Sequence, residues 1–416
     1  MDSDGLAAGP DLPAARTTAG LLRDRAFGPY VASKLVSVIG LWVYNLVAAL
    51  WAYELTGSTV IVGLVSVAVF GPQLVFAVWS GIAADRGDRL RRIVLGRLIC
   101  ACASGGLASF VALAQPSDST AARALLVASL AMGCGLTIGG PAMQAIVPTM
   151  VRSSEVAKAV TIDSIPMLLG LSLGPLLGAL IAAVAGPAAA FATAAGAQIV
   201  FALVVARLRV PRKDLPDLDL DLDMDQGLGG GFRFVRNDRV AALVLIAIAT
   251  AGFGADPAIT LTPAVSQLLR GDDSLVGILA SSFGLGAALG ALSLVQVRRW
   301  LPAPETTALG LLIMGLGALA AALSGLPSLT VGAFFVDGVG MAWVTTSATV
   351  ILQLRTPDAL RGRVMAIWIV AFVGARPLAG VIHGTVAELV STPASLVAAA
   401  AAALLVAGLC RPGRLT

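Results

Sequence analysis

Apolar residues in this chain do not alternate with polar ones. They run in about a dozen uninterrupted stretches of twenty or so residues, parted by short polar segments rich in arginine. A stretch of that length crosses a bilayer as a helix, because in lipid the backbone must satisfy its own hydrogen bonds. The pattern predicts spans at 28–52, 59–80, 93–114, 122–147, 156–185, 187–207, 239–267, 274–296, 304–324, 328–353, 362–388 and 393–410. Residues 1–27 carry Pro10 and Pro13 but no apolar core of a signal peptide, and read as a disordered cytoplasmic tail. At an offset of 209 residues, Gly81 repeats as Gly290, Gln144 as Gln353 and Pro148 as Pro357, each pair beside a basic loop. The expected organisation is therefore an all-α membrane protein of two six-helix bundles, 28–210 and 239–410. An acidic cytoplasmic linker at 211–238 joins them, and a short cytoplasmic tail at 411–416 ends the chain.

Composition sharpens this. Of 416 residues, 57% are apolar and 12% charged, about half the charged share of a soluble domain. The 28 basic residues are 25 Arg and 3 Lys. If the amino terminus is inside, 24 of them fall in cytoplasmic segments, Arg97 included, and only Arg123 and Arg270 outside. By the positive-inside rule both termini face the cytoplasm of a plasma (inner) membrane. Clustering between spans leaves no basic face for nucleic acid. Cys100, Cys102, Cys134 and Cys410 lie in apolar runs without ligand spacing, and His383 is the single histidine, so neither a disulfide framework nor a metal site is expected.

The loop between the second and third spans reads GIAADRGDRLRR. With Gly81, Asp85, Arg86 and Arg89 in place, followed by Arg91, it resembles the loop signature of the major facilitator superfamily. Asp88 stands where that pattern has glycine and Leu90 where it has a basic residue. The resemblance implies a twelve-span fold whose halves rock about a central site, with this loop as a latch on the cytoplasmic side. GLSLGPLLGA at 170–179 resembles the fifth-span signature of the superfamily's antiporters through Gly170, Gly174, Pro175 and Gly178, with Ala179 replacing a final glycine. Two further stretches, IVPTMVRSSEVAKAV at 146–160 and LQLRTPDALRGRVMAIW at 352–368, resemble the branch of siderophore exporters and macrolide or multidrug efflux pumps. That branch implies proton antiport of a moderately large, drug-like, siderophore-like or secondary-metabolite substrate.

Charged residues inside spans are costly and so become functional candidates. Asp256, Asp337 and Arg376 fall about 15 or 16 residues from the inner ends of their spans, roughly 23 Å deep at 1.5 Å per residue. They are expected to form one polar cluster that couples a proton to transport, or a static Asp337–Arg376 pair. Asp163 and His383 are further candidate proton carriers. In the first span Tyr30, Ser33, Lys34, Ser37, Gly40, Tyr44 and Asn45 recur at three- and four-residue spacing, a polar stripe expected to wall a wet substrate cavity. Lys34, Ser37, Tyr44 and Asn45 are its candidate contacts, while Trp42 and Trp51 fall off the stripe and read as lipid-facing anchors.

Apparent enzyme motifs fail on context. GLSLG at 170–174 would place a nucleophilic Ser172 mid-span, GLGALA at 315–320 follows no strand, and no phosphate-binding loop with its lysine exists. DLDLDMDQG at 219–227 lacks the glycine and final glutamate of a calcium loop. The chain thus reads as a non-enzymatic, monomeric secondary transporter driven by the proton gradient without a cofactor, its partners being lipid, protons and a small molecule. A proton-linked importer, or a non-transporting receptor of the same fold, remains the alternative.

Overall fold

The computed structural model describes residues 16–86, 88–114, 116–208 and 224–415. Among them eleven helices are long and apolar enough to cross a membrane. One, Val156–Arg207, turns sharply at Gly186, whose φ of 80° and ψ of 169° are open to glycine and strained for any other residue. It therefore holds the fifth and sixth spans, which brings the spans to the twelve expected.

Local chemistry sets the ends. Gly57 closes the first span, Phe27–Thr56, in the left-handed region. Asp238 accepts from the amides of Val240 and Ala241, Asp272 from that of Leu275 and Ser391 from that of Ala394, capping the seventh, eighth and twelfth spans. The seventh and eleventh spans are discontinuous. The seventh is built from Arg239–Ala255, Pro257–Thr260 and Thr262–Leu268. The eleventh is built from Asp358–Val373 and Ala375–Leu389. Proline accounts for all three breaks, since Pro257, Pro263 and Pro377 have no amide proton for the carbonyl four residues back.

One expectation changes, the disorder of the amino-terminal tail. Arg16 to Phe27 are not a disordered tail: Thr18–Leu22 is helical. Arg16 donates Nε and Nη2 to the two carboxylate oxygens of Glu155 at 2.9 and 2.8 Å, and Nη1 to Asp24 at 2.7 Å. Lys158 Nζ donates to the Arg16 carbonyl at 2.9 Å. The linker also carries structure. Residues 209–223 lie outside the described residues, but Met224–Asn237 is a helix that sets Gly230 and Gly231 against Arg363 of the eleventh span. At the other end Pro412–Leu415 is helical and buries Leu415 in the core of the second half.

The first half holds two apolar cores and the second half one, which also takes in Val38, Trp42 and Leu171 of the first, and a small fourth group, Leu46, Leu50 and Ala179 with Val276 and Ala280, bridges the halves as well. The bridge lies toward the arginine-poor end, and so do most hydrogen bonds that join the halves among the described residues. Thr59 Oγ1 donates to the Gly384 carbonyl at 2.7 Å, the Val60 amide donates to Glu388 at 3.2 Å, and Tyr53 bonds Gln267. Glycine makes this approach feasible: a Cβ on Gly63 would stand 2.2 Å from the Gly380 carbonyl oxygen. Contact between the second and eleventh spans continues to Leu74 and Gly374. Beyond it, Val75, Phe76, Ile369 and Val370 are exposed. The halves are sealed at the arginine-poor end and part toward the arginine-rich one.

Candidate functional site

The two broken spans meet at mid-depth, and their breaks place the charges. Asp256 directly precedes Pro257 and is 0% exposed. Its Oδ2 accepts from Thr260 Oγ1 at 2.7 Å, and its Oδ1 accepts a long bond, 3.5 Å, from Ser66 Oγ in the second span. Ser66 belongs to the first half, so the carboxylate reads the seam between halves directly. Arg376, two residues past the Gly374 break, lies close enough to interact electrostatically with Asp256. No ion pair holds it among the described residues. Its guanidinium stands over Phe70 at 5.4 Å and Phe372 at 5.3 Å, and its Nε has no hydrogen-bond partner. Phe70 is again from the first half, so one cation–π contact crosses the seam.

Asp337 does not join this group as expected. It makes no ion pair within 4.0 Å of Arg376, and its buried Oδ1 has no partner. The reason is rotational. Its backbone packs on Gly317 of the ninth span while Gly338 packs on Phe283 of the eighth, so equal depth along two helices did not mean a shared face. His383 is fully buried with both ring nitrogens engaged. Nδ1 lies 2.9 Å from Ser395 Oγ, and Nε2 lies 3.2 Å from the Phe253 carbonyl. Phe253 is four residues before Pro257, so the histidine occupies the carbonyl that the proline leaves without its helical donor. It ties the seventh, eleventh and twelfth spans together three residues from Asp256.

In the first half the stripe of the first span is a packing seam, not a cavity wall. Tyr30 donates to the Met143 carbonyl at 3.1 Å, Ser37 donates to Gln198 Oε1 at 2.7 Å, and Tyr44 shares a 2.9 Å bond with Ser129. Gly40 faces Ala194 and Ala197. Period alone cannot tell a wet wall from a helix seam, because the partners Gln198 and Ser129 sit on other spans. Lys34 and Asp163, named separately from the sequence, form an ion pair at 2.6 Å between the first and fifth spans. Asn45 bonds back to the Leu41 carbonyl and lines a void of only about 10 Å³ between the halves, with Trp42, Pro175 and Phe283. Trp42 and Trp51 are buried rather than lipid-facing, Trp51 standing edge-on to Phe191.

Arg97 was missed. Grouped with loop charges by the sequence, it is a helix residue only 5% exposed. Its Nη1 donates to Gln198 at 3.3 Å, and the guanidinium stands over Phe201 at 5.6 Å. The apolar residues on both sides, from Ile93 onward, were the available signal.

Gly170, Gly174 and Gly178 form one face of the fifth span, against Val38, Trp42 and Val43 of the first. Its other face meets the eighth, where a Cβ on Gly284 would stand 2.3 Å from the Leu171 carbonyl oxygen. The loop signature is only partly in view. Gly81, Asp85 and Arg86 end the helix Thr59–Arg86, with side chains outside the described residues. Arg89 donates to the Ala145 carbonyl at 3.2 Å, and Arg91 pairs with Asp88 at 3.4 Å.

A family model described as "Transmembrane secretion effector" matches residues 17–414. The enterobactin exporter of Shigella boydii serotype 4 is 26% identical over 392 residues, covering 92% of this chain and 90% of that one. Its counterpart in Salmonella choleraesuis is 26% identical over 354 residues, covering 82% and 81%. Among solved structures, the nucleoside transporter NupG aligns with a TM-score of 0.75 at 13% identity, covering 92% of this chain and 98% of that one. A D-xylose–proton symporter aligns at 0.72 and 14%, covering 92% and 97%.

Proposed function

Because the chain belongs to the transmembrane secretion effector family, a branch of the major facilitator superfamily, we propose that it exports a siderophore-like, drug-like or secondary-metabolite molecule from the cytoplasm in exchange for protons. It is a multi-pass membrane transporter and not an enzyme. The further steps are our reading: both termini cytoplasmic, a plasma-membrane location, outward direction and proton coupling. The asymmetry of basic loops supports the orientation, and similarity to enterobactin exporters supports export.

The observation that carries the mechanism is Asp256. It sits at a helix break at mid-depth, hydrogen-bonded to Ser66 of the opposite half, in the field of an arginine at a second break. In the present arrangement the arginine-poor, external end is sealed and the cytoplasmic end is open for loading. A substrate entering there meets a carboxylate whose bond to Ser66 exists only while the external seal is closed. Loss of that bond on rocking changes the carboxylate's surroundings in step with access, which is what exchange of a proton for substrate requires. Arg376 can move between the faces of Phe70 and Phe372 and the Asp256 carboxylate in the same step.

Inside-out vesicles carrying a pH-sensitive dye, given an inside-acid gradient and a panel of siderophores, macrolides and lipophilic cations, test this. The wild type dissipates the gradient with at least one compound, and Asp256→Asn does not. Dissipation that survives intact in Asp256→Asn removes the coupling role. Substrate-driven flux in the opposite direction removes export.

A further inference from the structure

Away from the seam, the ninth and twelfth spans, Ala303–Leu323 and Thr392–Leu409, enclose a groove of about 520 Å³ on the outer surface of the second half. On the ninth span it is lined by Glu305, Ala308, Leu309 and Leu312, and on the twelfth by Leu404, Ala407 and Gly408, continued by Arg411. Both sets follow helical three- and four-residue spacing, so each is one face of its helix. The helices touch where Gly315 meets Leu404, and they part toward the arginine-rich end. There, the space a Cβ on Gly408 would take has nothing within 4 Å.

Polarity is graded along this groove. One charge of each sign stands at the mouth, and only aliphatic surface lies deeper. Glu305 and Arg411 share the mouth without pairing, and Glu305 Oε2 is buried with no hydrogen-bond partner. A buried acceptor left without a donor is costly, so the site is incomplete as it stands. Leu301 also lines it, and the residues just before Leu301 in sequence are exposed Arg298, Arg299 and Trp300, the last 85% exposed, a composition typical of headgroup depth.

We propose that this groove binds a zwitterionic phospholipid whose headgroup ends in a primary ammonium. The ammonium donates to Glu305, the phosphate accepts from Arg411, and an acyl chain lies along Leu309, Leu312 and Leu404. An anionic lipid satisfies Arg411 but confronts Glu305 with like charge. A trimethylated headgroup carries the charge but no N–H for the vacant acceptor.

Delipidated protein is titrated with phosphatidylethanolamine, phosphatidylcholine or phosphatidylglycerol, and bound lipid is counted by native mass spectrometry. The wild type retains phosphatidylethanolamine at least fivefold better than either of the others. Glu305→Gln loses that preference, Arg411→Gln weakens retention of all three, and Gly408→Leu, which fills the mouth, lowers retention about tenfold. Thermal unfolding of each variant without lipid separates a lost site from a lost fold. Equal retention of all three lipids, a preference for phosphatidylglycerol, or retention unchanged in Gly408→Leu overturns the assignment.

Discussion

The two halves share a fold but treat buried charge in opposite ways. In the first, Lys34 meets Asp163 at 2.6 Å and Arg97 rests on Gln198 and Phe201. In the second, Asp337 has an unpartnered oxygen, and Arg376 has aromatic faces in place of an anion. Unbroken helices carry the first set, whereas Asp256 and Arg376 stand at proline-induced breaks. The contrast assigns labour: the first half is braced, and the second holds groups whose bonds can be exchanged as the halves rock. A group already held by its best partner offers little to switch.

The largest expected effect breaks the brace. Lys34→Met leaves Asp163 charged and mostly buried without its cation, a change worth about 3 kcal/mol or more. A clear fall in thermal stability in detergent follows, and Lys34→Met combined with Asp163→Leu recovers most of it. If the single variant is as stable as the parent, the first half is not braced by this pair.

Next comes the seal between halves. Gly63→Leu forces side-chain atoms into the space of the Gly380 carbonyl, an overpacking cost of about 1–3 kcal/mol on the sealed state. Such a bias lowers the sealed population roughly 5- to 150-fold. A cysteine placed at the half-buried Ser58 then reacts faster from outside, while Gly106→Ala, where a Cβ meets nothing within 4 Å, leaves its rate unchanged. Unaltered labelling in Gly63→Leu shows that the second and eleventh spans do not set the seal.

A smaller effect is expected at Asp337. Its Oδ1 makes no hydrogen bond, so Asp337→Asn leaves stability within about 1 kcal/mol of the parent. Gradient-driven transport separates the candidates further: with Asp256 as the coupling group it survives Asp337→Asn, and its loss transfers that role to Asp337.

The same contrast explains what the sequence disclosed. Span number and the boundary near Gly186 were legible, because length and apolarity decide them without reference to neighbours. Depth was legible too: Asp256 and Arg376 lie together as counted residues indicate. Rotation about each helix axis was not. It separates Asp337 from Arg376 and turns Ser37 and Tyr44 into a buried seam, and it depends on which residue of another span stands opposite. Lys34 and Asp163 were both singled out, yet 129 positions of sequence separation hid their pairing.

The smallest effect concerns the staple that Arg16 makes at the arginine-rich end, again on the first half. Hydrogen bonds from the Arg16 side chain, then from its backbone, hold the Glu155 carboxyl down to about 2 from an ordinary value of 4.5. A depressed carboxylate contributes its stability fully above the ordinary value and loses it as pH falls through the depressed one. The staple is therefore intact at neutral pH, weakens below about 4.5 and releases near 2. A spin label on Leu22→Cys, in a background without Cys102 and Cys134, reports this directly, since Leu22 is exposed on the stapled helix. Its spectrum is restricted at pH 7 and becomes mobile as the pH approaches 2. In Arg16→Ala or Glu155→Gln it is mobile at every pH, because the amino-terminal segment then has only Asp24 and Lys158 contacts left in part. A label that stays restricted in both variants means that burial of Leu21 and Phe27, not the ion pair, holds the segment, and the brace on the first half would then be apolar at this end.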